Sequence, residues 1–281
     1  MRLQTGTFMK GIETFVLYVV LLALAACFIV PFFWLLSESL KSPSELFEVP
    51  TRWWPKTIMW SNYADMFNSF PFFLYLKNTI IILIPNIVGA VISNTLIAYG
   101  FARLDWKYRD NVFMIVLITM ILPYQVTMIP LFIMFHHLHW IGTFLPLIVP
   151  SFFGNPFFIF LLRQFLLGIP KELSYSAKID GANEFQIYAR IIMPLAKPVI
   201  STVVIFAFLG TWNDFIGPLI FLSDNKLYTL SLGAQSIMGT YDPKWNILMA
   251  LGVTMTVPVL VIFFLLQKYF IQGVAMSGIK G

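Results

Sequence analysis

Long apolar runs alternate with shorter polar interruptions along the chain. Six runs reach spanning length, at residues 14–36, 79–101, 111–135, 144–162, 199–222 and 246–266. About 20 predominantly apolar residues in a helix cross a ~30 Å hydrocarbon core, so each run predicts one transmembrane helix. The expected fold is an all-α integral membrane protein. Its interruptions are an N-terminal segment 1–13, a loop 37–78, a short link near 102–110, a loop 163–198, a loop 223–245 and a tail 267–281.

Charge orients this arrangement. With residue 1 on the inner side, 12 of the 18 Lys and Arg fall on the inner segments, as the positive-inside rule requires. Both termini and the 163–198 loop are then cytoplasmic, and 37–78 and 223–245 extracytoplasmic. The same rule accounts for the net charge of +5 without nucleic acid. A composition of 59% hydrophobic and 11% charged residues lies outside the range of soluble domains. Leu24-Ala25-Ala26-Cys27 looks like a lipoprotein processing site, but the apolar run continues to Leu36, so the first span is expected to stay uncleaved.

Prolines mark the third and fourth runs, Pro123 and Pro130 in one and Pro146, Pro150 and Pro156 beside Gly154 in the other. Each removes a backbone donor, so these helices should kink or unwind. Broken backbone at membrane depth is tolerated where other helices or a watery cavity satisfy it, which makes these spans candidates for lining a path. Gln125, Thr127 and Asn155 lie beside the breaks. They could face sugar hydroxyls or bond to neighbouring helices. In the fifth run, Trp212, Asn213 and Asp214 form a second polar group, and a carboxylate there should face protein or water. Trp53, Trp54 and Trp60 suit a membrane interface better than sugar stacking, and His136, His137 and His139 are read as interfacial, with no metal site.

The longest polar interruption of the second half carries the sharpest local signals. Pro170 suits a first helical position, and Gly181 suits a left-handed closure after Asp180. Asn183, followed by Gln186, suits a capping box opening a second short helix, and Pro194 and Pro198 close the stretch. Leu173, Ala177 and Asp180 are expected along one side of the first helix, as a small apolar contact ending in a charge.

This stretch resembles the loop signature of permease subunits of binding-protein-dependent ABC importers: Glu-Ala-Ala, three residues, Gly, nine residues, Ile, one residue, Leu-Pro. The frame falls on Tyr175-Ser176-Ala177, Gly181, Ile191 and Met193-Pro194, with Tyr175, Ser176 and Met193 departing from it. Glu172, one turn earlier, offers an acid in place of the missing Glu. Pro-Lys-Glu-Leu at 170–173, Ile-Asp-Gly-Ala at 179–182, Trp-Asn-x-Phe at 212–215 and the tail ending Ser277-Gly278-Ile279-Lys280-Gly281 are similar to the carbohydrate branch, in particular its maltose-type smaller permease partner.

The resemblance implies a type I ABC importer permease with one permease domain over about 72–271. It implies that Glu172, Leu173, Tyr175, Ser176, Ala177, Asp180, Gly181 and Ala182 engage an ATPase. The implied partners are a second homologous permease, two ABC ATPase subunits, an extracytoplasmic sugar-binding protein and membrane lipid. The sequence lacks the Gly-x-x-x-x-Gly-Lys-Ser/Thr phosphate loop, so ATP and Mg are expected on the ATPase, and this chain is expected to be neither an enzyme nor a cofactor carrier. The rival class is an ion-coupled secondary transporter working without ATPase partners, for which paired broken helices in the two halves would be the sign.

Overall fold

The computed structural model describes residues 2–238 and 244–277. Part of the 223–245 loop and the tail residues 278–281 lie outside them. Among the described residues all regular structure is helical. The first helices are α1 (Arg2–Ser39), α2 (Ser61–Ser69), α3 (Phe72–Arg103), α4 (Arg109–Thr119), α5 (Tyr124–His137), α6 (Leu145–Ile148) and α7 (Pro156–Leu167). The others are α8 (Glu172–Ile179), α9 (Glu184–Ile187), α10 (Met193–Leu195), α11 (Lys197–Trp212), α12 (Ile216–Phe221), α13 (Leu230–Met238) and α14 (Trp245–Ser277). Two compact units are formed, residues 1–70 with 236–257, and 71–235 with 258–281.

The first unit holds α1, whose side chains from Ile12 to Phe33 are exposed around the whole circumference. A helix apolar on every side is stable where its surroundings are apolar too. Just past Leu36 the chain turns polar and also buried, with Ser37, Glu38, Ser39 and Lys41 all inside. Lys41 Nζ donates to Glu38 Oε1 at 2.6 Å and to the Arg52 carbonyl at 2.7 Å, and sits 5.0 Å from the Trp34 ring centroid. Asn62 Nδ2 donates to the carbonyls of Ser39 and Lys41, and Asn246 Nδ2 donates to Asn62 Oδ1 at 2.8 Å. Trp53 meets Trp34 edge-on at 5.2 Å and Trp54 stacks on Phe33 at 5.9 Å, so two of the three loop tryptophans contact aromatic residues of α1.

The second unit is built on α3, against which α7 and α11 pack. Its buried core includes Ala90, Ala98 and Ala102 of α3 with Leu162, Leu166, Val199 and Val203. Small residues let helices approach closely, which is the contact available when the solvent is itself hydrocarbon.

Four helices are long and apolar enough to cross a membrane, or six if two bent pairs each count as one span. One bent pair is α4 with α5, which meet at 97° around Pro123, so the predicted third span is two helices. The predicted fourth span begins as α6, tightens to a 3-10 turn at Val149–Phe153 and restarts as α7 after Gly154. Gly154 has φ +91°, a backbone conformation that favours glycine. The continuous fifth run at 199–222 needs correction: α11 stops at Trp212, and α12 starts at Ile216. Asp214 Oδ1 accepts from the Gly217 N–H at 3.0 Å, and the Ser231 hydroxyl donates to the Asp214 carbonyl, so a side chain and a turn replace the helical ladder there. The 16 residues of α11 alone reach only about 24 Å, short of the hydrocarbon core.

Candidate functional site

In the 163–198 stretch, local chemistry shapes an elbow. The N–H of Ala182 bonds back to the Ala177 carbonyl at 2.9 Å and that of Gly181 to the Lys178 carbonyl at 3.1 Å, closing α8 with Gly181 at φ +83°. Asn183 and Gln186 form the reciprocal capping box that opens α9, each side chain accepting the other's backbone N–H at 2.9 Å. Pro170 does not take the first helical place. Lys171 occupies the cap position and α8 begins at Glu172, and in the turn before it Arg103 Nη2 donates to the Ile169 carbonyl at 2.9 Å.

The elbow is tied to α3 by further side chains. Tyr99 donates from its hydroxyl to Glu184 Oε2 at 2.7 Å, and the hydroxyls of Thr95 and Tyr188 bond at 2.8 Å. The Tyr99 and Tyr188 rings meet edge-on at 5.4 Å. Lys178 pairs with Glu184 Oε1 at 2.5 Å, and that hydrogen bond raises the lysine above its ordinary value. Beneath the surface, Ala177, Ile187, Ile192 and Ala196 share one buried cluster with Leu162 of α7, Ala98 of α3 and Val203 of α11.

That burial corrects the expected face of α8. Ala177 is 8% exposed and turned into the core, so Leu173, Ala177 and Asp180 do not form one outward strip. Glu172, Leu173, Tyr175, Ser176, Asp180 and Gly181 are exposed, while Ala182 is half-buried. The apolar surface presented outward consists of Leu173, Tyr175, Ile179 at 86% exposure and Phe185 at 70%. Ile179 and Phe185 lie outside the set expected from the sequence.

The candidate path residues separate into two places. Asn155 Oδ1 caps α7 by accepting from the N–H groups of Phe157 and Phe158, and the Asn155 N–H donates to Asn94 Oδ1 at 2.6 Å. A cavity of about 390 Å³ lies here, lined by Asn86, Asn94, Ser151, Asn155 and Thr211 among others. Of these, the sequence pattern marks only Asn155. Trp212, Asn213 and Asp214 gather instead at the end of α11. Trp212 is buried and stacked on Phe208 at 5.5 Å, and Asn213 Nδ2 donates to the Leu209 carbonyl at 3.0 Å. Gln125 is exposed on α5, where Thr127 donates to the Tyr124 carbonyl at 3.0 Å, and neither lines the cavity.

Comparison with known proteins matches this architecture. Residues 94–276 match the family described as binding-protein-dependent transport system inner membrane component. The chain is 36% identical over 261 residues to the arabinooligosaccharides transport system permease protein AraQ of Bacillus subtilis, covering 92% of each. It is 28% identical to the lactose transport system permease protein LacG of Rhizobium radiobacter, covering 96% of this chain and 98% of that one. In fold it resembles a chain of a bacterial ABC transporter involved in the import of the acidic polysaccharide alginate, with a TM-score of 0.80 over 92% of this chain and 97% of that chain at 23% identity. A family match across most of the described helices, and a relative this similar along nearly its whole length, place the chain among the multi-pass inner membrane components of binding-protein-dependent transport systems, as a permease of prokaryotic type.

Proposed function

We propose that this chain is a transmembrane subunit of an ATP-driven importer for carbohydrate of the oligosaccharide or glycoside class. It pairs with a second, homologous permease, two ATPase subunits that bind ATP and Mg, and an extracytoplasmic sugar-binding protein. The substrate class is supported by the names of the arabinooligosaccharide and lactose relatives.

The observation that carries the coupling is the elbow's double character. Outside, Leu173, Tyr175, Ile179 and Phe185 stand in water with polar neighbours. Inside, Ala177, Ile187 and Ile192 belong to the same core as α3, α7 and α11. A partner that grips the outer residues therefore moves the membrane helices, because packed cores shift as rigid bodies. ATP acts by favouring one arrangement of the gripped elbow over the other. In this scheme the N- and C-termini and the elbow face the cytoplasm, and the Asn86, Asn94, Asn155 and Thr211 cavity belongs to the sugar path.

Reconstitution of the purified chain tests the scheme. ATP-dependent sugar uptake that requires a co-purifying ATPase is the expected result. Uptake driven by a proton or sodium gradient through this chain alone would replace the scheme with an ion-coupled carrier.

A further inference from the structure

The cavity beside α3, α7 and α11 has apolar walls that include Phe158, Phe206 and Ala207, and no Asp, Glu, Lys, Arg or His lines it among the described residues. Much of its polar lining is already engaged. Asn86 Nδ2 donates to the Leu147 carbonyl at 3.0 Å, and Asn94 Nδ2 donates to the Ala90 carbonyl at 2.6 Å. Three lining side chains keep polar atoms with no hydrogen-bond partner among the described residues: Asn86 through Oδ1, Asn155 through Nδ2 and Thr211 through its hydroxyl. Asn155 is exposed, Asn86 and Thr211 are half-buried, and none of the three atoms is sealed off.

Asn86 stands near the middle of the 32-residue α3, where hydrocarbon cannot satisfy a polar group, so water or a polar solute must. An acceptor, an NH2 donor and a hydroxyl together suit sugar hydroxyls, which both donate and accept.

The same cavity meets the start of α7. The N-terminus of a helix ordinarily attracts an anion through its unpaired N–H groups. Here none is left over. Pro156 has no N–H, Phe157 and Phe158 donate to Asn155 Oδ1 at 2.9 and 3.3 Å, and Ile159 donates to the Asn155 carbonyl at 2.9 Å. The Asn155 N–H is itself spent on Asn94 Oδ1. A neutral side chain of this chain fills the place that an anion would take.

We propose that Asn155, by closing the N-terminus of α7, makes this cavity a filter that admits uncharged, hydroxyl-rich solutes and rejects anionic ones. Asn86 Oδ1, Asn155 Nδ2 and the Thr211 hydroxyl are left to hold sugar hydroxyls. A carboxylate or phosphate entering the cavity would shed water and meet neither a cation nor a free N–H. This role rests on the cavity's place in the sugar path and adds the charge of the sugars that pass.

The test uses the purified complex with Cys27, the one cysteine of this chain, replaced by Ser. Gly210→Cys puts a thiol in the lining, where a Cβ meets no atom within 4 Å, and leaves Asn86, Asn155 and Thr211 intact. Modification by 2-hydroxyethyl and by 2-sulfonatoethyl methanethiosulfonate is followed from the mass of this chain, each rate scaled to that of a free thiol in water. The neutral reagent should react readily and the anionic one about tenfold more slowly or less. Asn155→Gly frees the N–H groups of Phe157 and Phe158, and should raise the anionic rate several-fold while the neutral rate stays within about twofold. If that variant fails to assemble, Thr211→Lys decides in its place, because the lost hydroxyl holds no partner among the described residues and the added cation should raise the anionic rate alone.

Failure of the neutral reagent to reach Gly210→Cys would mean that lipid or another chain covers the cavity, and would remove it from the sugar path. Equal rates for the two reagents would keep the path and overturn the filter. A slow anionic reagent that neither Asn155→Gly nor Thr211→Lys accelerates would put the exclusion elsewhere and overturn the part given to Asn155.

Discussion

Two polar stretches of this chain, 37–70 and 163–198, carry similar numbers of charges, yet they are built in opposite ways. In the first, charge is inside: Lys41 and Glu38 are buried against each other, and Trp53, Trp54 and Trp60 remain largely exposed. In the second, the formal charges lie at the surface or half-buried, and with them Leu173, Tyr175, Ile179 and Phe185. A stretch that satisfies its own polar groups in its interior is a fixed part of the scaffold. Both stretches leave large apolar side chains exposed, and what sets the second apart is that Ala177, Ile187 and Ile192 beneath them share one core with α3, α7 and α11, so a partner held there acts on those helices.

The sharpest way to break the first stretch is Lys41→Met. It leaves the Glu38 carboxylate buried without its cation, and removing one partner of a buried pair costs about 3–5 kcal/mol. Thermal unfolding in detergent should show a large loss of stability, whereas Lys56→Met, on an exposed pair with Glu48, should change little.

The second stretch should respond in the other sense. Ile179→Ser with Phe185→Ser should leave the isolated chain as stable as wild type, since both residues are already exposed. The same double variant should weaken ATPase association by about 2–4 kcal/mol, read as lost co-purification, because two apolar side chains are worth about 3–6 kcal/mol if fully buried and an interface returns only part of that.

Next in size comes the bend itself. A Cβ at Gly181 meets no atom within 4 Å, so a substitution there acts through φ +83° alone. Gly181→Val should cost about 1–3 kcal/mol in the elbow and uncouple uptake from ATP hydrolysis while the chain still inserts. Gly181→Asn, which tolerates the left-handed region, should retain most coupling. Equal uptake by wild type and the valine variant would remove the elbow from the mechanism.

The smallest effect is expected from Asn183→Ala, which deletes half of the capping box and should cost about 1 kcal/mol, visible as faster amide exchange in α9 with little change in total stability.

Several parts of this contrast are legible in the amino-acid sequence. Gly181 and the Asn183–Gln186 pair can be read there because each feature is decided within a few residues. The breaks at Pro123 and around Gly154 fall at prolines, but Pro130 stands inside α5 and Pro85 inside α3 without ending either helix, because a missing donor disfavours a helix and its neighbours decide whether it breaks. The helix start expected at Pro170 falls two residues early, since α8 begins at Glu172 with Lys171 at its cap. Ala177 points inward where spacing suggests an outward strip, because helical spacing states which residues share a face, and only packing states where that face points.

The sequence by itself determined a helical, membrane-spanning chain with a polar elbow of family-like spacing, because hydrophobic length, capping and left-handed glycine are local quantities. Only the tertiary structure decided the rest: that Ile179 and Phe185 are the exposed contacts, that Asn94 meets Asn155 across 61 residues, and that Asn86 and Thr211 line one cavity. An apolar run records how favourable burial is, not which neighbour supplies it. That choice is made by side-chain contacts between helices far apart along the chain, which spacing within one helix cannot encode.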